Sequence, residues 1–97
     1  MAVSKNKLQR MCAIYSKLMR GTNSNIYYNK RDLMNYVEKV TDRKICPSSI
    51  EKDFQDLKWD FDLDISYSRY KEGYYLINPP SIEEFKERVF TYLKIEL

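Results

Sequence analysis

The 97 residues carry 17 Lys and Arg against 14 Asp and Glu, a net charge of +3, with 43% hydrophobic and 14% aromatic content and only two Gly and three Pro. That mixture is too apolar and too poor in flexible residues for a disordered chain, and the length suits one domain with a modest core. No apolar run approaches the roughly 20 residues of a membrane span, and MAVSKNKLQR leads into an amphipathic pattern, so a cytoplasmic protein without membrane contact is expected.

The charge is unevenly spread. Residues 1–50 hold ten basic and three acidic side chains, and residues 51–97 hold seven and eleven. The first half is therefore where an acidic partner is expected to be met.

From Ser4 to Met19, the residues Leu8, Met11, Cys12, Tyr15, Leu18 and Met19 recur at three- and four-residue steps, the spacing of one buried helix face. RGTNSN then breaks the helix, with Gly21 suited to a C-terminal cap. Ile26 to Tyr28 are long enough only for a small strand, a third partner for a distant hairpin. Asn29 can cap a second helix running about Lys30 to Thr41, with Asp32 near its positive end and Leu33, Tyr36, Val37 and Val40 as the buried stripe.

A third helix opens at Pro47, where a missing N–H costs nothing, and continues to about Asp60. Either Cys46 or Ser48 is its cap, Ser48 with Glu51 making a capping box. Cys12 and Cys46 have no zinc-ligand spacing in a chain without His, and both are expected as reduced, structural, buried thiols. ISYSRYKEGYYLI reads as a hairpin with Gly73 available for a positive backbone angle, and NPP ends it. Ser81 and Glu84 form a capping-box signature for a last helix, Ile82 to about Ile95, with Phe85, Val89, Tyr92 and Leu93 expected inward. Helix, short strand, helix, helix, hairpin, helix is the plan of an α+β winged helix-turn-helix.

The third helix poses a problem, because Ile45 to Phe61 hold four acids against two bases. A turn of about 100 degrees per residue puts Ile50, Phe54, Leu57 and Phe61 on one stripe and Ser48, Lys52, Gln55 and Trp59 on the opposite one. Asp53, Asp56 and Asp60 collect on a flank expected to face the second helix or its connecting loop, with Lys39, Arg43 and Lys44 as candidate partners. Glu51 is expected to cap the helix start, the alternative being a bond from a cytosine amino group. Trp59 is expected to be covered by the last helix or by the segment after the hairpin.

SIEKDFQDLK, Ser49 to Lys58, followed by ISYSRYKEGYYL, is similar to the T-I-x-R-D-I-x-x-L-R helix and I-x-Y-x-x-x-x-G-Y-x-L hairpin of winged helix-turn-helix domains in bacterial transcription regulators of the WYL-domain and DeoR-like type. The likeness covers about Lys7 to Leu76, and departs from the pattern at Pro47 and Ser48 and in the longer VTDRKI connection. It implies a DNA-binding domain over residues 1–80, followed by a helix over 81–97 that packs, dimerises or begins a linker. It also implies a recognition helix of about 47–60 in the major groove and a wing, 65–77, on phosphate or minor groove. Ile50, Phe54, Leu57, Tyr74 and Leu76 are then core, and Ser49 and Lys52 lie on or beside the DNA side. The WYL ligand-sensing domain is absent from these residues, so the sequence is expected to be either a fragment of a longer regulator with a C-terminal effector domain or a small stand-alone protein.

The chemistry of the remaining candidates fits double-stranded DNA. Lys52 can donate to guanine, Gln55 can pair with adenine, and Ser48 can bond a base or a phosphate. Arg43 and Lys44 lie in the preceding loop, and Arg69 and Lys71 flank Tyr70 at the wing tip. Lys5, Lys7, Arg10, Lys30 and Arg31 are further backbone-contact candidates, the last two being unfavourable to a helix N-terminus unless something negative sits there. A homodimer on two half-sites is expected, with Phe85, Phe90, Tyr92, Leu93, Ile95 and Leu97 of the last helix as the candidate contact.

With no His, glycine-rich phosphate loop, metal cluster or nucleophile beside a base, neither an enzyme nor a cofactor is expected. Asp60, Asp62 and Asp64 lack the Gly and terminal Glu of a calcium loop. Two other readings compete: a winged-helix protein-interaction module using Trp59 and the nine tyrosines, and RNA or single-strand binding at YYNKR and SRYK.

Overall fold

The computed structural model describes residues 5–96. In chain order it contains α1 (Lys5–Asn23), α2 (Lys30–Thr41), α3 (Pro47–Asp60), β1 (Ile65–Ser68), β2 (Gly73–Leu76) and α4 (Ile82–Glu96). The architecture is α+β, four helices with one two-stranded antiparallel hairpin. No described helix is long and apolar enough to cross a membrane. Ser4, Leu97 and the side chains of Lys5, Leu93 and Ile95 lie outside the described residues.

Met11, Ile14, Tyr15 and Leu18 bury one face of α1, as a helical repeat of apolar residues requires. The helix does not stop at Gly21 but runs on to Asn23, and the next segment folds back over it. Asn25, in the left-handed region at φ 58, reverses the chain, and the Ile26 N–H donates to the Gly21 carbonyl at 2.7 Å. A Cβ at position 21 would lie 2.6 Å from both the Ile26 oxygen and the Tyr28 ring. Gly21 is thus a site of close approach rather than the expected cap.

The α2 bounds and cap follow the sequence reading. The Asp32 N–H donates to Asn29 Oδ1 at 2.8 Å while the Asn29 N–H donates to Asp32 Oδ2 at 3.2 Å, a reciprocal capping box. Leu33 and Val37 are buried, but Val40 is exposed, since the last turn of α2 stands clear of the core together with Lys39 and Asp42. Cys46 is the residue at the N-cap of α3, and Pro47 takes its first turn. Ile50, Phe54, Leu57 and Phe61 are all buried, as the stripe predicts.

The hairpin pairs Ile65 with Leu76, both buried, and Tyr67 with Tyr74. At its tip the positive φ belongs to Glu72, at 54 degrees, and not to Gly73. Gly73 answers to a different constraint: a Cβ there would sit 2.5 Å from the Tyr27 carbonyl carbon. The 26–28 segment contributes one antiparallel bridge, Tyr28 to Tyr74, sealed by the Tyr74 N–H donating to the Tyr28 carbonyl at 2.7 Å. It is a single bridge where a short third strand was expected. Thr22 adds a second tie, accepting from the Leu76 N–H at 3.0 Å.

Ser81 opens α4 by accepting from the Glu84 N–H at 3.1 Å. Phe85 then stacks on Tyr15 with ring centroids 3.9 Å apart, and Tyr92 meets Phe61 edge-on at 5.0 Å. The Tyr15 hydroxyl donates to the Pro80 carbonyl at 2.7 Å, and Arg88 donates to the Phe61 carbonyl at 2.8 Å. Such aromatic pairs contribute about 0.5–1.5 kcal/mol each beyond their buried area, so α4 belongs to the core.

Both glycines are pressed against one segment, and an added methyl at either must displace backbone. Gly21→Ala and Gly73→Ala are each expected to lower stability by about 1–3 kcal/mol, measured as the shift in urea midpoint at constant m-value. Unchanged midpoints would remove the close-approach account.

Candidate nucleic-acid interface

Two of the four acids of α3 are engaged by α1. Asp53 is 1% exposed and receives both Arg10 Nε at 2.8 Å and Arg10 Nη2 at 3.2 Å, a two-point guanidinium–carboxylate contact. Asp56, one turn behind, pairs with Lys7. The acidic flank therefore faces α1, and not α2 and its loop as the sequence suggested. The reason is the packing of α1 across α3, which brings the Lys7–Arg10 turn onto that flank. Lys7 and Arg10 are accordingly engaged in holding α3, a correction to their reading as phosphate contacts. Asp60, at the end of the flank, is exposed and shares a surface groove with Glu84, Glu87 and Arg88 of α4.

Glu51 is diverted too. Its Oε1 accepts from Lys30 Nζ at 2.6 Å, so it neither caps α3 nor stands alone on the surface. The pair ties the start of α2 to the first turns of α3. Lys30 is thus partly committed, while Arg31 beside it is exposed.

With Asp53, Asp56 and Glu51 occupied, the outer side of α3 presents Ser48, Lys52 and Gln55, all exposed, with Ser49 half-buried beside them. Trp59 continues this stripe and is 84% exposed, contrary to the expected cover. The last helix is drawn instead onto Phe61 and Tyr15, which leaves the indole over an open groove of about 570 Å³ lined by Gln55, Lys58, Asp62 and Asp64.

Before α3, the loop residues Arg43 and Lys44 are exposed around a cleft of about 240 Å³ that also includes Arg10 and Thr41. The Ile45 N–H donates to Glu38 Oε2 at 2.9 Å and pins this loop to α2. Beyond α3, the hairpin is held alongside by Tyr74, which meets Phe54 edge-on at 4.9 Å and Tyr67 at 4.9 Å. Its tip exposes Arg69, Tyr70 and Lys71, and Lys71 Nζ lies 5.3 Å from the centre of the Tyr27 ring. The loop, the outer side of α3 and the hairpin are thereby joined through α3, and the Lys30–Glu51 pair adds the start of α2.

Cys46 is the residue whose chemistry the sequence reading passed over. It is exposed rather than buried, because as N-cap it lies at the outer start of α3, and Cys12 is half-buried in α1; both thiols are free. Cys46 Sγ lies 3.3 Å from Ser48 Oγ and 3.2 Å from Ser49 Oγ. Hydrogen bonds from those hydroxyls favour the thiolate and bring the Cys46 pKa down to about 7, whereas burial pushes the Cys12 thiol up. The signal was present in C-P-S-S, a thiol placed just before a helix start with two hydroxyls next to it. Among the described residues no group of acidic, Cys or His side chains is arranged to hold a metal ion.

Comparison with protein families, curated proteins and solved structures returned no match.

Removal of the Asp53 carboxylate strands a partly buried guanidinium, so Asp53→Ala is expected to cost about 2–4 kcal/mol in urea unfolding. Asp56→Ala, which breaks a half-exposed pair, should cost less than about 1 kcal/mol. Equal losses would mean that Asp53 is not the anchor. The thiol pair gives a separate check by mass spectrometry of iodoacetamide adducts. The Cys46 rate should reach half its limit near pH 7 as the thiolate forms, while Cys12 should react only at higher pH.

Proposed function

We propose that this chain is a winged helix-turn-helix DNA-binding domain of a bacterial transcription regulator, of the kind found in WYL-domain and DeoR-like proteins. In this reading α3 enters the major groove and the hairpin acts as the wing. The observation that carries it is the disposal of the α3 carboxylates. Asp53 and Asp56 are turned onto Arg10 and Lys7, Glu51 is held by Lys30, and the outward stripe of Ser48, Lys52 and Gln55 bears no acid. A helix of formal charge −2 can then approach a polyanion, because net charge matters less than which charges face the phosphates.

The size and chemistry agree with this use. An α-helix of about 10–12 Å diameter fits a major groove about 12 Å wide. Lys52 is suited to guanine O6 and N7 or to a phosphate, and Gln55 to adenine N6 and N7. Arg43, Lys44 and Arg31 flank the helix, and Arg69 and Lys71 supply the wing with charge for phosphates or a narrow minor groove. In this reading DNA binding calls for neither a catalytic residue nor a cofactor.

A second reading, a winged-helix module for protein partners, draws support from the exposure of Trp59 together with the acids Asp62 and Asp64 beside it. Salt separates the two. A complex through about six phosphates loses about three orders of magnitude in affinity between 50 and 200 mM salt, and an apolar protein interface hardly responds.

Duplexes selected from random sequence should bind with that salt dependence. On the selected duplex, Lys52→Ala or Gln55→Ala is expected to lose about 1–3 kcal/mol of base preference at particular positions. Arg69→Ala should weaken all duplexes alike and lower the salt slope by about one. Variants of both classes that bind as the parent does would overturn the assignment of α3.

A further inference from the structure

Between α1 and α4 runs an apolar groove of about 400 Å³, whose walls include Cys12, Tyr15 and Met19 on one side and Ile82 and Phe85 on the other. Cations stand on its rim: Arg20 from α1 and Lys86 from α4, both exposed. The space is ample for an aromatic side chain, since a cavity of about 150 Å³ holds benzene.

One exposed aromatic residue on a surface is ordinary, but the outer side of α4 offers more. Ile82, Lys86 and Phe90 recur at four-residue steps, so they share a face, and Ile82 is 60% and Phe90 65% exposed. Glu87 and Glu83, also exposed, lie three and seven residues before Phe90, one and two turns away on its other side. An apolar knob flanked by carboxylates thus stands beside an apolar groove rimmed by cations. What fits the groove is an aromatic residue accompanied by acids, and α4 itself is such a segment.

We propose that the chain forms a two-fold homodimer in which antiparallel α4 helices meet, each Phe90 entering the groove of the other copy. The contact is isologous: a surface that carries both knob and groove is satisfied twice by one symmetry operation and closes without growing into a fibre. Lys86 of each copy faces the partner's Glu87 across the two-fold axis, so the charge contact is made twice. The aromatic residue supplies most of the affinity, and the charge pairs fix the antiparallel register. This surface is separate from the outer side of α3 and does not depend on the DNA-binding reading.

Sedimentation velocity of the full chain without DNA, over a concentration series, tests it. The chain should move as a reversible dimer that Phe90→Ser weakens at least about tenfold, the order expected for a buried aromatic anchor. Lys86→Glu and Glu87→Lys should each weaken the dimer, and the two together should restore it, a recovery that a structural defect would not produce. All three positions are exposed, and circular dichroism verifies that each variant folds. The mass of one chain at every concentration overturns the proposal. So does a dimer that Phe90→Ser leaves intact, or a double variant no tighter than the single ones. Because DNA is absent, either result leaves the salt and base-preference tests of α3 unaffected.

Discussion

The contact on which the rest depends is the buried carboxylate of Asp53 against the Arg10 guanidinium. A charge held at 1% exposure is tolerable only when its oxygens are matched, and an unmatched one costs several kcal/mol. That penalty acts as a rotational stop. The apolar stripe of Ile50, Phe54 and Leu57 alone would admit small rolls of α3 about its axis, since side chains of that size repack. The ion pair does not, because a roll would part Asp53 from its donors. Lys7 with Asp56 reinforces the same setting along the same flank, and Lys30 with Glu51 does so from the start of α2. The orientation of the outward stripe is therefore as much an electrostatic outcome as an apolar one.

Much of this was legible from residue order. Regular spacing disclosed the inward stripe of α3, the Asn29 start of α2 and both arms of the hairpin, because these depend on neighbours within a few residues. What failed depended on which element crosses which. The flank of Asp53 and Asp56 was identified, but its partners came from α1, some 43 residues earlier in the case of Arg10. Trp59 was expected to be covered because a bare indole is costly, yet the path of α4 is set by Tyr15 and Phe61, which compete more strongly for its aromatic residues. Both glycines were noticed for the wrong reason. Their backbone angles are ordinary, and the lack of a side chain matters because another backbone passes through the space.

That passing backbone, Ile26 to Tyr28, joins two parts of the molecule. It lies over the end of α1 at Gly21 and against the hairpin at Gly73, while Thr22 reaches β2 directly. The hairpin is a short two-stranded ribbon, an element of marginal stability alone. Here it is secured by, among others, the Tyr28 bridge, the Thr22 hydroxyl and the Phe54–Tyr74 contact. Its placement beside α3 thus depends on α1 and the segment that follows it as well as on α3, and α1 is the helix that sets the roll of α3.

Trp59 is the one tryptophan in the chain, and it lies almost wholly in water at the end of α3. The indole emission of this protein therefore originates at its surface and reports little about its interior. A shift of that emission to shorter wavelength signals that something has come to rest on α3, which makes the molecule its own optical label for whatever it meets.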